Sequence, residues 1–266
     1  MVRSVPYLFV VLGICGLFLL YIPVLVMMVF SFNAGKLSSV WAGFSVHWYG
    51  ALLENEALLA ALGKSLLIAC LAASLSTIFG VFIATAFTRY GRFRFRLLLS
   101  ALASAPLVIP EVVMGLSLLL LFIAMEQLLG WPKGRGLDTI IIAHATFGMC
   151  FAAVVIQARL RQFDQALEEA AADLGARQPY IFLSVTLPLI APAILSAWLL
   201  TFTLSFDDLV IASFVSGPGS STLPIVIFSK VRLGVTPEIN AIATLMIVII
   251  GLGVTSGALL MRRKKP

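Results

Sequence analysis

Six stretches of the chain run for roughly 20 residues or more, the length at which a helix crosses a bilayer. They cover residues 7–32, 65–88, 97–125, 139–157, 187–215 and 241–261 and carry almost no charge. Only helices and closed barrels satisfy every backbone N–H and C=O inside hydrocarbon. Of the 266 residues, 61% are hydrophobic and 11% are charged, against about 25% charged in a soluble domain. Water is therefore the wrong solvent for this chain. The expectation is an all-α integral membrane protein of six transmembrane helices, a single membrane domain over residues 1–266. The first run follows Arg3 as a secretory signal would, but it is too long and lacks a small-x-small cleavage site, so it counts as a true span.

Lys and Arg set the direction. Arg3, Arg89, Arg92, Arg94, Arg96, Arg159, Arg161, Arg177 and the tail Arg262, Arg263, Lys264 and Lys265 fall on one side of a six-span layout. The other side holds Lys36, Lys64, Lys133, Arg135, Lys230 and Arg232. The excess of cations marks the cytoplasmic side, so both termini are expected there. The loops 33–64, 126–138 and 216–240 then face outward. The net charge of +6 reflects this topology rather than a nucleic-acid surface.

Several chemistries are absent from the pattern. Cys15, Cys70 and Cys150 lie in apolar runs without C-x-x-C spacing and read as small hydrophobes. His47 and His144 stand alone in sequence, so no metal site is expected. Residues 63–65, "GKS", resemble the end of a P-loop, but Leu58 stands where its first glycine belongs. No nucleophile, base or metal cluster of a membrane enzyme is visible.

The cytoplasmic loop 158–186 is unusually polar: Glu168, Glu169, Asp173 and Arg177 precede Pro179 and Pro188. Asp164 is positioned to cap a short helix whose apolar face is Leu167, Ala170, Ala171 and Leu174. Gly175 falls where a left-handed C-terminal residue belongs, and Pro179 suits the first turn of the next helix. So narrow an apolar stripe cannot bury itself in a loop this short. It points to docking into a groove of another protein, with an interfacial helix on lipid as the other reading.

Three carboxylates lie inside spans: Glu111 after Pro110, and the adjacent Asp207 and Asp208. Each costs about 2.5 kcal/mol or more at a helix centre and marks a pathway by default. Successive helical residues diverge by about 100°, so one aspartate faces the pathway and the other bonds within the bundle. The spans hold no Lys or Arg to neutralise them, which suggests a cationic substrate. The other reading is a protonated carboxyl beside a helix break. In the outer loop, Trp41, Trp48 and Tyr49 either stack on an alkylammonium chain or form an interfacial aromatic belt. Glu54 and Glu56 either meet a binding protein or are simply solvated.

The order Glu169-Ala170-Ala171, Gly175 six residues after the glutamate, then Leu187-Pro188, resembles the EAA loop of ABC-importer permeases; Val185 departs from the usual isoleucine. "SFNAGKLSSVWAGFSVHWYGALL", "APLVIPEVVMGLSLLLLF", "GWPKGRG", "SFDDLVIASFVSGPGSSTLP" and "TPEINAIATL" are similar, in this order, to permeases of bacterial polyamine importers, putrescine type before spermidine type. The resemblance implies a type I ABC-importer permease fold in the bacterial inner membrane. It implies a different six-span permease as heterodimer partner, two ATPase subunits and a periplasmic polyamine-binding protein. Glu169, Ala170, Ala171, Gly175, Leu187 and Pro188 would then couple to the ATPase. Glu111, Asp207 or Asp208, and Trp41 would meet the substrate. ATP and Mg would be bound by the partner ATPase, with no cofactor in this chain. An ion-coupled carrier would also hold intramembrane carboxylates, but it needs no EAA loop.

Overall fold

The computed structural model describes residues 7–35, 40–91, 93–234 and 236–263. Arg3, Lys36, Arg92, Lys264 and Lys265 lie outside them. The elements are α1 (Tyr7–Phe30), α2 (His47–Glu54), α3 (Glu56–Arg89), α4 (Arg96–Val108), α5 (Glu111–Leu129), α6 (Leu137–Gln162), α7 (Ala166–Asp173), α8 (Gln178–Ile181), a π turn (Phe182–Thr186), α9 (Leu187–Phe206), α10 (Val210–Val215), α11 (Leu223–Leu233) and α12 (Pro237–Arg263). Among the described residues the extended structure is one isolated bridge, Asn33 to Phe44.

Five helical stretches are long and apolar enough to cross a membrane: Phe9–Phe30, Glu56–Arg89, Glu111–Leu129, Leu137–Gln162 and Gln178–Phe206. The expected sixth span falls in α12, whose apolar portion with described side chains is Pro237–Ile249. Large hydrophobic side chains point outward in numbers no water-facing surface would carry: Phe18 is 65% and Leu19 76% exposed.

Two expected spans are each a pair of helices. Pro110 has no N–H and disfavours the helical region for the residue before it. Ile109 is accordingly extended (φ −74, ψ 131), and the 97–125 run splits into α4 and α5. The 187–215 run splits at Asp207–Leu209 into α9 and α10. The loops expected to face outward also hold more helix than their polarity suggests. Asn55 accepts the Leu58 N–H on its Oδ1 at 3.1 Å, an N-cap that starts α3 at Glu56, nine residues before the apolar run.

The chain forms two compact units, one of residues 1–59 with 226–266 and one of residues 60–225. In the first, α12 packs on α1 and α2. Its loop is built around the buried Asn33, whose Oδ1 accepts the Ala42 N–H (2.8 Å) and whose Nδ2 donates to Val40 O (2.7 Å). Glu238 in the first turn of α12 accepts from Asn55 Nδ2 (2.6 Å) and pairs with Lys230 (3.0 Å).

In the second unit α6 is the centre, packed against α4, α5, α9 and α10. Its contact with α3 is a seam of small residues. A Cβ on Gly80 would lie 2.6 Å from Ala152 Cβ, and one on Gly148 would lie 2.5 Å from Ser76 Oγ. The two small-xxx-small pairs, Ser76/Gly80 and Gly148/Ala152, bring the backbones together where hydrocarbon gives no hydrophobic push. Their order shows α3 and α6 running parallel. Ile68, Phe122, Ile140, Ile211 and Val215 fill one core of this unit, and Val81, Ile156, Leu160 and Ile190 another.

Candidate functional site

The second unit brings Glu111 and the aspartate pair to the starts of two neighbouring helices. α10 runs antiparallel to α6: Thr139 Oγ1, in the first turn of α6, donates to Val215 O at the end of α10 (2.8 Å). The short 130–136 turn makes α5 antiparallel to α6 as well, so α5 and α10 run side by side in the same direction. They touch where a Cβ on Gly115 would meet Phe214 Cδ2 at 2.6 Å and Ile211 Cα at 3.4 Å. Glu111 opens α5 four residues before Gly115, and Asp207 lies in the break four residues before Ile211. The acidic residues thus stand at the starts of adjacent, parallel helices.

Their environments differ. Asp208 is engaged on every side: its Oδ2 accepts the Ala212 N–H (2.7 Å) and its Oδ1 the Ile211 N–H (3.3 Å), which caps α10. His144 Nε2 lies 3.1 Å from Asp208 Oδ2, and His144 Nδ1 lies 2.7 Å from Ser205 Oγ. A carboxylate only accepts, so Nε2 donates to Asp208, while Nδ1 shares a hydrogen bond with the serine hydroxyl. His144 and Ser205 are 4% and 8% exposed, so the trio ties α6 to the α9–α10 break and leaves no open face for a reacting group. Asp207 and Glu111 are exposed, and neither carboxylate is paired with another side chain among the described residues.

His144 is therefore not solitary, as its position in sequence suggests. Its partners lie 61 and 64 residues away, and nothing local announces them. Sequence reasoning also passed over Trp198, Phe202 and Phe206. Spaced i, i+4, i+8 on α9, they stack with centroids 5.3 and 5.8 Å apart, and the ladder ends beside Asp207. Trp41 belongs to the first unit, 47% exposed and edge-on to Phe30 (6.1 Å). Trp48 and Tyr49 serve the fold: Trp48 Nε1 donates to Asn33 O (2.8 Å), and the Tyr49 hydroxyl bonds Ser31 Oγ (2.7 Å).

The polar loop forms the two expected helices. Asp164 Oδ1 accepts the Ala166 N–H (3.0 Å) at the start of α7. Gly175 has φ +85. The Ala176 N–H reaches Ala171 O (3.1 Å) and the Gly175 N–H reaches Ala172 O (2.9 Å), the paired bonds of a Schellman ending. No residue of α7 is buried, and Leu174 is 90% exposed. Glu169 and Ala170 face solvent, while Ala171 is half-buried. The residue that fastens the loop is Glu168: its Oε2 lies 2.8 Å from Arg89 Nε at the end of α3, and its Oε1 accepts from Thr186 Oγ1 (2.5 Å). Thr186 closes the π turn, and Leu187 and Pro188 open α9 directly after it. A cleft of about 650 Å³ lies against this loop, lined by Tyr90, Glu169, Pro179 and Phe182 among others.

Residues 63–65 lie within α3. Lys64 Nζ donates to Gly219 O (2.6 Å), and Ser65 Oγ accepts the Leu223 N–H (2.8 Å), so both brace the 216–223 turn. Among the described residues no group of three or more His, Cys, Asp or Glu could hold a metal ion.

Residues 76–265 match the family described as binding-protein-dependent transport system inner membrane component. Over 251 residues the chain is 53% identical to the putrescine transport system permease protein PotI of Escherichia coli K12, covering 94% of this chain and 89% of that one. It is 44% identical over 230 residues to the spermidine/putrescine transport system permease protein PotC of Haemophilus influenzae, covering 86% and 87%. These relatives are permease components, not enzymes. Among solved structures, a bacterial ABC transporter involved in import of the acidic polysaccharide alginate superposes with TM-score 0.70 at 18% identity, covering 96% of this chain and 94% of that one. The MetNI methionine ABC transporter in an inward-facing form gives 0.61 at 17%, covering 84% and 100%. With its helices, its loop and these relatives in view, the chain belongs to the binding-protein-dependent transport system inner membrane components.

Proposed function

We propose that the chain is a transmembrane subunit of an ATP-driven importer that moves putrescine, or a related polyamine, into the bacterial cytoplasm by alternating access. The 53% identity to a putrescine permease over 94% of the chain carries this reading. Six spans with both termini cytoplasmic, a different permease as heterodimer partner, a periplasmic polyamine-binding protein and two ATPase subunits holding ATP and Mg complete it.

The substrate-facing groups are Glu111 and Asp207, exposed beside the starts of adjacent helices and in no ion pair among the described residues. They offer the dication its missing counter-charge, and the ring ladder on α9 adds cation–π faces. Trp41 serves on the outer side. Asp208 organises the break that presents Asp207. The motor-facing surface is the exposed Glu169, Ala170 and Ala171, ended by Gly175 and joined through Leu187 and Pro188 to α9. Glu168 and Arg89 connect that handle to α3. A spermidine importer is the second reading, supported by the 44% relative.

Vesicles carrying the complex would be tested for labelled putrescine uptake, with and without ATP on the motor side and without ion gradients. Uptake is expected only with ATP and binding protein; gradient-driven uptake without ATP would overturn the reading, and preference for spermidine would move the substrate. Gly175→Pro, which cannot adopt φ +85, is expected to abolish ATPase docking or coupled transport. Unchanged docking and uptake would remove the loop from the mechanism.

A further inference from the structure

A second concavity, of about 190 Å³, lies between α3, α4 and α6, away from the carboxylates and the handle. Its lining is graded along two helices in the same direction. On α4, Arg96 is followed at one-turn steps by Ser100 and Ser104 and then by Leu107. On α6, read back from its end, Arg161 is followed by Gln157, then Val154 and Cys150. α4 follows α3 through a short turn, and α3 runs parallel to α6, so both arginines stand at the same end. The groove is cationic at one end, polar in the middle and hydrocarbon at the other. No carboxylate lines it.

Arg96 is held in place before any ligand arrives. Its Nη1 donates to Tyr90 O (3.1 Å) and to Gly91 O, and its Nη2 to Phe87 O (3.2 Å). The last carbonyls of α3 and the turn behind it thereby gain a cation. Three of the five guanidinium donors are spent, leaving two. Arg161, Ser100 and Ser104 are exposed and have no partner among the described residues. Unpartnered hydroxyls along a groove that runs toward hydrocarbon are costly unless something polar covers them.

We propose that this groove binds the headgroup of an acidic phospholipid. Arg96 and Arg161 take the phosphodiester, Ser100, Ser104 and Gln157 take the glycerol and ester oxygens, and the first acyl segment follows Leu107 and Val154. Two cations, one of them held in place, with no opposing carboxylate select an anion. The grade from charge to hydrocarbon selects an amphiphile over a soluble phosphate.

The test uses the full-length chain in phosphatidylcholine vesicles, with a trace of phosphatidylglycerol or phosphatidylcholine bearing a photoreactive group on the acyl chain close to its ester. Crosslinks are mapped by mass spectrometry. One basic residue near an acidic leaflet is worth about 1 kcal/mol, or about fivefold. Label on the segments carrying Leu107 and Val154 is therefore expected to be several-fold higher from phosphatidylglycerol. It should fall about fivefold in Arg161→Gln and recover in Arg161→Lys. Ser104→Leu, which fills the groove without touching a charge, should lower it too and serves if the arginine variant does not fold. Equal label from both lipids, or label indifferent to both variants, overturns the proposal. Loss of label to millimolar inorganic phosphate assigns the groove to soluble anions instead. Crosslinking involves no transport, so its outcome is separate from that of the uptake experiment.

Discussion

The two helix breaks in the second unit are built by opposite means. At 109–111 a proline removes a donor: Pro110 ends α4 and opens α5, and Glu111 takes no part in holding the break. At 207–209 no proline is present. There the break is made by an acceptor, with Asp208 taking the N–H groups of Ile211 and Ala212 and the ring N–H of His144. A break made by deletion leaves its neighbouring carboxylate unoccupied. A break made by a carboxylate consumes one, so presenting another requires a second. The doubled aspartate follows from the missing proline.

Asp208→Ala attacks this contrast hardest. It strands the His144 N–H and two backbone donors in a buried site, and is expected to cost about 3 kcal/mol, read as a fall in Tm in detergent. Glu111→Ala should stay within about 0.5 kcal/mol, as for an exposed side chain. Equal losses would mean that the two breaks are held alike. Gly115→Ala comes next. Its methyl would press on the Phe214 ring, and the flexible ring limits the cost to about 1–2 kcal/mol in the same assay; no change would show that α5 and α10 do not meet there. Asp207→Asn and Glu111→Gln should move stability least, below about 0.5 kcal/mol, yet reduce putrescine uptake. Normal uptake by both variants would leave the exposed carboxylates without a role.

Local rules carried the sequence reading furthest where local forces decide. The apolar runs became helices, Gly175 took a positive φ, and Pro179 and Pro188 sit in first turns, because each outcome depends on residues within one turn. The misses around the candidate site and in the loop around Asn33 are long-range. The grip of Glu168 on the body of the protein was not visible, since it depends on Arg89, 79 positions earlier. His144 looked solitary because Ser205 and Asp208 reach it only after α6 and α9 pack. The ladder of Trp198, Phe202 and Phe206 was visible as spacing, but only packing decides whether rings at that spacing stack. Asn33 gave no sign of organising its loop, because its partners are backbone groups that any sequence supplies.

The seam between α3 and α6 also limits how this sequence can change over time. Solved relatives keep the fold at 17–18% identity, so most positions are free to drift. Gly80 and Gly148 are not, because an added methyl would land 2.6 Å from the Ala152 Cβ and 2.5 Å from Ser76 Oγ. At Gly80 a smaller residue at position 152 would not suffice, because Ala153 N and Ala152 C also stand 3.0 and 3.1 Å from the added carbon. Change at Gly80 therefore requires the two helices to part, a constraint that the exposed surface does not share.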